Sequence, residues 1–212
     1  MNWSDRLAAY KESPGHRAGD DLDALIALCE PGPGVTALDV ATGGGHVARR
    51  LRAEGCDVTT CDAAEGMEPD VVCPAEELPF ADASFDVVAC RIAPHHFSSV
   101  ARAVREMARV SRRLVVIEDT LYTDPEVERA ERLRDPTHVR NLSRDEWLQT
   151  IAGAGLLVTD EQVFEKRHPV EAWLARTGCT GRTAQQVREL IAHRTVDGVW
   201  IDRKIVLRAS RE

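Results

Sequence analysis

No apolar run in this chain comes near the roughly 20 residues that a membrane helix needs, so no membrane span is expected. Cys-x-x-Cys is missing as well. The six cysteines stand apart, at 29, 56, 61, 73, 90 and 179, which argues against a zinc site or a disulfide framework. Buried free thiols in a reducing compartment are the expectation. Positive charge is in short supply: 27 Lys and Arg face 35 Asp and Glu, a net charge of −8. A general affinity for nucleic acid is therefore not expected. Met1-Asn2-Trp3-Ser4-Asp5 has neither the basic start nor the apolar stretch of a signal peptide, so the expected location is cytoplasmic. Internal repeats and low-complexity segments are also lacking. What remains is a chain of 212 residues, 43% hydrophobic and 29% charged, enough for one domain with a full core.

What the chain does have is a punctuated stretch from Ala37 to Ala48. Apolar residues lead into Asp39 and Val40, Ala41-Thr42 follows, then Gly43-Gly44-Gly45, and a helical pattern resumes from Val47. Glycines allow a tight turn and a close approach of ligand to backbone, and the following helix aims its free N–H groups into the same space. A second short β-prone run ends in an acid, Asp62, about 20 residues past the first glycine, where nucleotide folds place a ribose-binding carboxylate.

Strands are expected at about Thr36 to Val40, up to Asp62, at Asp70 to Cys73, Ser84 to Ile92, Leu114 to Ile117, Leu156 to Phe164 and Val199 to Leu207. Helices are expected over residues 3 to 12, Asp20 to Cys29, from the glycines to Ala53, Val100 to Val110, Asp124 to Arg134, from the Ser143–Glu146 capping box to about Ala154, Val170 to Arg176 and Thr183 to His193. This alternation predicts a Rossmann-like α/β fold: a doubly wound, mostly parallel, seven-stranded sheet whose last strand is antiparallel. The chain is expected to form a single domain, with a helical cap over 1–34, a cofactor core over 35–120, a substrate-side segment over 121–142 and a closing sheet edge with helices over 143–212.

Four blocks together resemble the class I S-adenosylmethionine-dependent methyltransferases, nearest to the ubiquinone/menaquinone-biosynthesis type. They are Leu38 to His46, Asp62 with Glu65-Gly66-Met67, Ala75 to Val88, and Arg105-Glu106-Met107-Ala108-Arg109-Val110. The resemblance covers about residues 20 to 120. It implies S-adenosyl-L-methionine as cofactor, methyl transfer to a small-molecule acceptor, quinone-like or a secondary metabolite, and a possible homodimer. It places Ala41, Thr42, Gly43, Gly44 and Gly45 under the methionine portion. Asp39 would orient that loop and the ammonium group, Asp62 would hold the ribose hydroxyls, and Ala63 would lie beside them. Met67 and Leu78 would sandwich the adenine, with Glu76 or the N–H of Ala75 at its edge. Cys90 and Arg91 would reach the methionine end through the main chain.

Gly43-x-Gly45-x-x-Ala48 also fits a nicotinamide-dinucleotide pattern, but Asp39 before the turn and the Leu78-Pro79-Phe80…Ser84-Phe85-Asp86 block favour the methyl donor. The chain departs from its look-alikes in one place. Only residues 63–74 separate Asp62 from the Ala75 block, so the second crossover helix is cut to about a turn or lost. Pro74 can offer the adenine neither a carboxylate nor an N–H. A more open adenine pocket is expected, with weak donor binding or a partner chain over the gap. An acceptor that needs a base would find one among His95, His96 and His138, with Arg140 as a partner for an anionic acceptor group. No metal site is expected, since adjacent histidines cannot face one ion as an i, i+4 pair does. A protein that keeps this scaffold with weak or no methyl transfer, as a cyclase, binding or assembly partner, is the alternative reading.

Overall fold

A computed structural model describes residues 17–211; the helix expected over residues 3 to 12 lies outside them. The strands are β1 (Thr36–Val40), β2 (Asp57–Asp62), β3 (Val71–Val72), β4 (Phe85–Arg91), β5 (Ser111–Thr120), β6 (Leu157–Pro169), β7 (Thr195–Val196) and β8 (Val199–Ser210). The helices are α1 (Asp20–Leu28), α2 (His46–Ala53), α3 (Val100–Val110), α4 (Pro125–Arg134), α5 (Arg144–Ala152), α6 (Val170–Arg176) and α7 (Gly181–Leu190). The sheet runs β3-β2-β1-β4-β5-β8-β6. Its first five strands pair in parallel, and β8 lies antiparallel between β5 and β6.

Alternation along the central strands builds two cores. Ala37, Val87, Ala89, Leu114 and Val116 face α1 and α2, where Leu22, Leu25, Val47 and Leu51 cover them. Leu38, Val40, Val88, Cys90, Val115 and Ile117 point the other way, onto Val104 and Met107 of α3 and Trp147 and Ile151 of α5. Strands buried on both faces read as unbroken apolar runs, and for that reason β4 was visible in the sequence. A third cluster joins α4, α6 and α7 through Val127, Ala130, Trp173, Leu174, Val187 and Trp200. All six cysteines are free thiols, five of them buried.

Three differences from expectation have physical causes. β5 starts at Ser111 and continues through Glu118 and Asp119, which are 0% and 1% exposed. Acids read as the end of a strand, but here basic partners allow them inside. β6 extends past Phe164 to Pro169, because β8 pairs along its whole length, from Leu157↔Ser210 to Pro169↔Val199. The short β7 was not expected; it pairs with β8 across the Asp197-Gly198 turn, whose two residues both have positive φ, 51° and 71°, as hairpin turns of this kind require.

The second crossover is as short as the spacing required. Between β2 and β3 there is one 3-10 turn, Glu65–Met67, yet Cys61↔Val71 and Asp62↔Val72 still pair in parallel. Thr60 anchors the return: its N–H and hydroxyl meet the Asp70 carboxylate at 2.8 Å each.

Candidate active site

The strand order reverses between β1 and β4, and a cavity of about 400 Å³ opens over the carboxyl ends of β1, β2 and β4. That is where ligands bind in open α/β sheets. Its walls are Asp39, Ala41 to Gly44, His46 and Val47, then Asp62, Ala63, Ala64, Met67 and Glu76, and finally Arg91 to Ala93 with His96, Phe97 and Ser98.

The loop after β1 is shaped by its backbone. Ala41, Gly43 and Gly45 have φ of 54°, 49° and 70°. At Gly43 a Cβ would meet nothing nearer than 4.0 Å, so the open wall there is a surface a ligand can approach. Asp39 sits underneath, 2% exposed, and its Oδ2 accepts from the Thr42 hydroxyl at 2.7 Å and from the Ala48 N–H at 3.1 Å. Gly45, the N-cap of α2, has no side chain to cap with, and Asp39 supplies that bond from below. Burial pushes the Asp39 carboxyl up to about 6 against these two bonds. Arg49 closes the loop from outside, donating to the Gly44 carbonyl at 2.7 Å.

Asp62 ends β2 at the mouth of the cavity. Its Oδ2 accepts from Gly43 N–H at 3.0 Å and its Oδ1 from Ala64 N–H at 2.9 Å. Burial raises its pKa and these amides oppose the rise. A carboxylate offers about four lone-pair sites, so two remain for a pair of hydroxyls. Met67, 5% exposed, and Glu76 complete that end. Glu76 Oε1 is held by the Ser98 hydroxyl and Ser99 N–H at 2.9 and 3.1 Å.

At the other end, β4 stops at Arg91 and the chain turns through Ile92 at φ 50°, an uncommon conformation for a β-branched residue. Ala41 and Ile92 thus strain the backbone at matching places, just past β1 and β4, and both line the cavity. Arg91 points its guanidinium away, into a buried cluster. Its Nε donates to Glu118 at 2.5 Å and its Nη2 to Asp21 at 2.7 Å; Lys166 also reaches Asp21.

A 3-10 turn, Pro94–His96, then carries two histidines with different environments. His95 Nδ1 lies 2.5 Å from Asp119 Oδ1, and despite burial that carboxylate raises its pKa. His96 stacks against it, ring centroids 4.1 Å apart. Burial, then the His95 charge, hold His96 well below the ordinary imidazole value. Its Nδ1 faces the Thr137 carbonyl at 3.1 Å and the Thr137 Oγ1 at 3.2 Å. The Thr137 hydroxyl spends its proton on Asp135 at 2.7 Å. Both neighbours of Nδ1 are therefore acceptors, so the proton sits on Nδ1 and the basic lone pair on Nε2.

Of the residues named from the sequence, the structure gathers Asp39, Ala41, Thr42, Gly43, Gly44, Asp62, Ala63, Met67, Glu76, Arg91 and His96 on one cavity. Gly45, Ala75, Leu78 and Cys90 lie behind its wall: Leu78 is 3% and Cys90 0% exposed, and the Leu78 N–H is bonded to Glu106. His95 stands behind His96. His138 reaches no part of this cavity; its two nitrogens lie 3.1 Å from Glu128 and 3.4 Å from Glu131. Arg140 is paired with Glu146 on the surface. Sequence reading missed His46, Val47, Ala64, Ile92, Ala93, Phe97 and Ser98 as wall residues. His46 and Val47 were legible as the residues that follow the glycine run and open α2; the others are placed by turns that carry no motif.

A family described as "Methyltransferase domain" matches residues 38–116. An uncharacterised methyltransferase of Bacillus subtilis, YcgJ, is 31% identical over 213 residues, covering 90% of this chain and 83% of that protein. The crystal structure of YcgJ superposes with a TM-score of 0.81 at 26% identity, over 91% of this chain and 98% of that one. A demethylmenaquinone methyltransferase of Beutenbergia cavernae is 40% identical over 110 residues, but these are 46% of this chain and 44% of that protein. The chain thus spans about half of that quinone enzyme, and the match does not fix a quinone acceptor. The chain belongs to the class I S-adenosylmethionine-dependent methyltransferases. The nicotinamide reading of its glycine run falls away.

Proposed function

We propose that this methyltransferase binds S-adenosylmethionine along the cavity over β1, β2 and β4 and methylates a small molecule held on the His96 side. The donor's sulfonium supplies an activated methyl group; what the protein adds is alignment and exclusion of water. Asp62 takes the ribose hydroxyls on the lone pairs that Gly43 and Ala64 leave over. The bare backbone at Gly43 and Gly44 lies against the methionine portion. Met67, Ala63 and Glu76 receive the adenine. Asp39 acts from below as a positioning residue, holding Thr42 and the first turn of α2.

His96 is the candidate base. It lines the cavity, its Nδ1 proton is fixed by Thr137 and Asp135, and its Nε2 carries the lone pair. Burial, and then His95 whose pKa Asp119 raises, favour its neutral form. An acceptor hydroxyl, amine or acidic carbon would lose its proton to Nε2 as the methyl group arrives. His138, fixed between two glutamates, positions the 135–141 loop, whose Val139 and Arg140 N–H groups both donate to the His95 carbonyl.

The observation that carries this reading is the Asp62 carboxylate, tied to Gly43 and Ala64 at the mouth of the cavity. The test is thermal unfolding with S-adenosylmethionine and, separately, with NAD. A ligand at a hundred times its Kd adds about 2.7 kcal/mol of stability. The melting temperature should rise with the sulfonium nucleoside alone. No rise with it, or an equal rise with NAD, would refute the assignment.

A further inference from the structure

β6 ends the sheet on its side: β8 pairs with one of its edges, and among the described residues no strand pairs with the other. The ladder decides what that free edge presents. On the β5 side of β8, the Arg203 carbonyl accepts from Leu121 N–H at 2.8 Å. Main-chain groups alternate in direction along a strand, so Lys204 and the other even-numbered residues of β8 turn theirs toward β6. Their partners there are Gln162, Phe164, Lys166 and His168. The main-chain groups that face outward therefore belong to Glu161, Val163, Glu165 and Arg167. Both ends of this run are closed. A bulge between Val158 and Asp160 interrupts it on one side, and Pro169, in an outward position with no N–H to give, ends it on the other.

Charges on an edge ordinarily repel a second strand. Here their order makes the edge complementary to itself. An antiparallel copy turned about a two-fold axis at Phe164 sets Glu161 against Arg167 twice and Val163 against Glu165 twice. Every outward N–H and C=O of the run then finds a partner. Moving the axis to Val163 sets Glu161 against Glu165, like charges directly opposite, and puts Arg167 on the bulge. Moving it to Glu165 sets that acid against its own copy and Glu161 against the proline. Apolar groups agree with the charges. Val163, 47% exposed, meets its copy diagonally across the Phe164 axis, and Phe164, packed on the core from inside, meets its copy directly. Glu165 and Arg167 are exposed and have no ion pair among the described residues. Glu161 holds Arg144 at 2.5 and 2.7 Å, and a carboxylate has about four lone-pair sites, which leaves room for a second guanidinium.

We infer that β6 is a dimerisation strand, which pairs antiparallel with β6 of a second copy about a two-fold axis at Phe164. One sheet then runs through both chains. The occupant is a second copy because the open run matches itself in sign and in length. The cavity over β1, β2 and β4 stays clear of the seam, with β5 and β8 between them.

Sedimentation velocity tests this on the full chain, which should run as a dimer at about 100 µM, as a small but specific interface does. Val163→Pro removes an outward N–H and leaves the β8 ladder whole, so it should give a monomer that still melts cooperatively. Arg167→Glu and, separately, Glu161→Arg put like charges face to face, and each should weaken self-association by about tenfold or more. Mixed in equal amounts, these two variants should pair with one another, because each supplies the charge that the other lost. Recovery on mixing also shows that both are folded. A monomeric wild type leaves the edge to some other occupant and overturns the inference. So does a dimer that survives Val163→Pro, one indifferent to the charge reversals, or a mixture that fails to pair.

Discussion

His95 and His96 are neighbours in sequence whose pKa values are pushed in opposite directions, and their surroundings decide which is which. Against burial, the Asp119 charge raises the His95 pKa, and burial together with His95 lowers that of His96. Imidazole NMR titration should show His96 as the neutral Nδ1–H tautomer through pH 6, with His95 still charged there. Asp119→Asn should lower the His95 midpoint, and with that charge gone the His96 midpoint should climb. Parallel titration of the two rings in the wild type would contradict the assignment. This division was invisible in Pro94-His95-His96-Phe97, because the groups that set it, Asp119 and Thr137, lie 24 and 41 residues away. Asp39, Asp62 and the glycines were legible for the opposite reason. Their chemistry is local to strand ends, and strand ends can be read from apolar runs.

Among the elements, β4, α1, β5 and β6 meet at one buried ionic cluster formed by Arg91, Asp21, Glu118 and Lys166. Burial pushes the Glu118 carboxyl up to about 8 from an ordinary 4.5; Arg91 opposes the rise and Asp21 adds to it. The folded chain therefore keeps a proton that the unfolded chain releases between pH 4.5 and 8, and stability falls across that window as pH rises. Glu118→Gln has no proton to lose. Its melting temperature, relative to wild type, should climb steadily from pH 5 to pH 8; a pH-independent difference would refute the raised carboxyl. The same cluster shows where sequence reading stops. The β5 pattern gave Leu114 to Ile117, but nothing in it said that the next two acids are buried. Likewise Lys166 and His168 lay outside the expected strand, which stopped at Phe164, because a charged strand is credible only once its partners across the sheet are known.

At the scale of the whole molecule, the parallel sheet was legible because it rests on period and order, whereas the helical cluster beside it was not. The α4–α6–α7 cluster joins a helix that precedes β6 to two that follow it, and no repeat or motif announces their meeting. The one global irregularity that spacing did reveal is the helix missing between β2 and β3. Val72, at the sheet edge, is 53% exposed there. With that flank open, S-adenosylhomocysteine should bind a monomer more weakly than about 1 µM, which is about −8.2 kcal/mol. Calorimetry paired with analytical ultracentrifugation checks this; submicromolar binding by a monomer would contradict it.

The Glu65–Met67 turn also makes a natural splice point. Glu68 is exposed, sits at φ 54°, and belongs to no strand. Lengthening a loop is thermodynamically mild, about 0.6 kcal/mol for each doubling. A fluorescent domain grafted between Glu68 and Pro69 would leave every strand pairing uncut while resting beside the Met67 wall of the cleft. Such a graft that kept its melting temperature would show that this edge of the sheet tolerates cargo, as an exposed turn outside every strand pairing should.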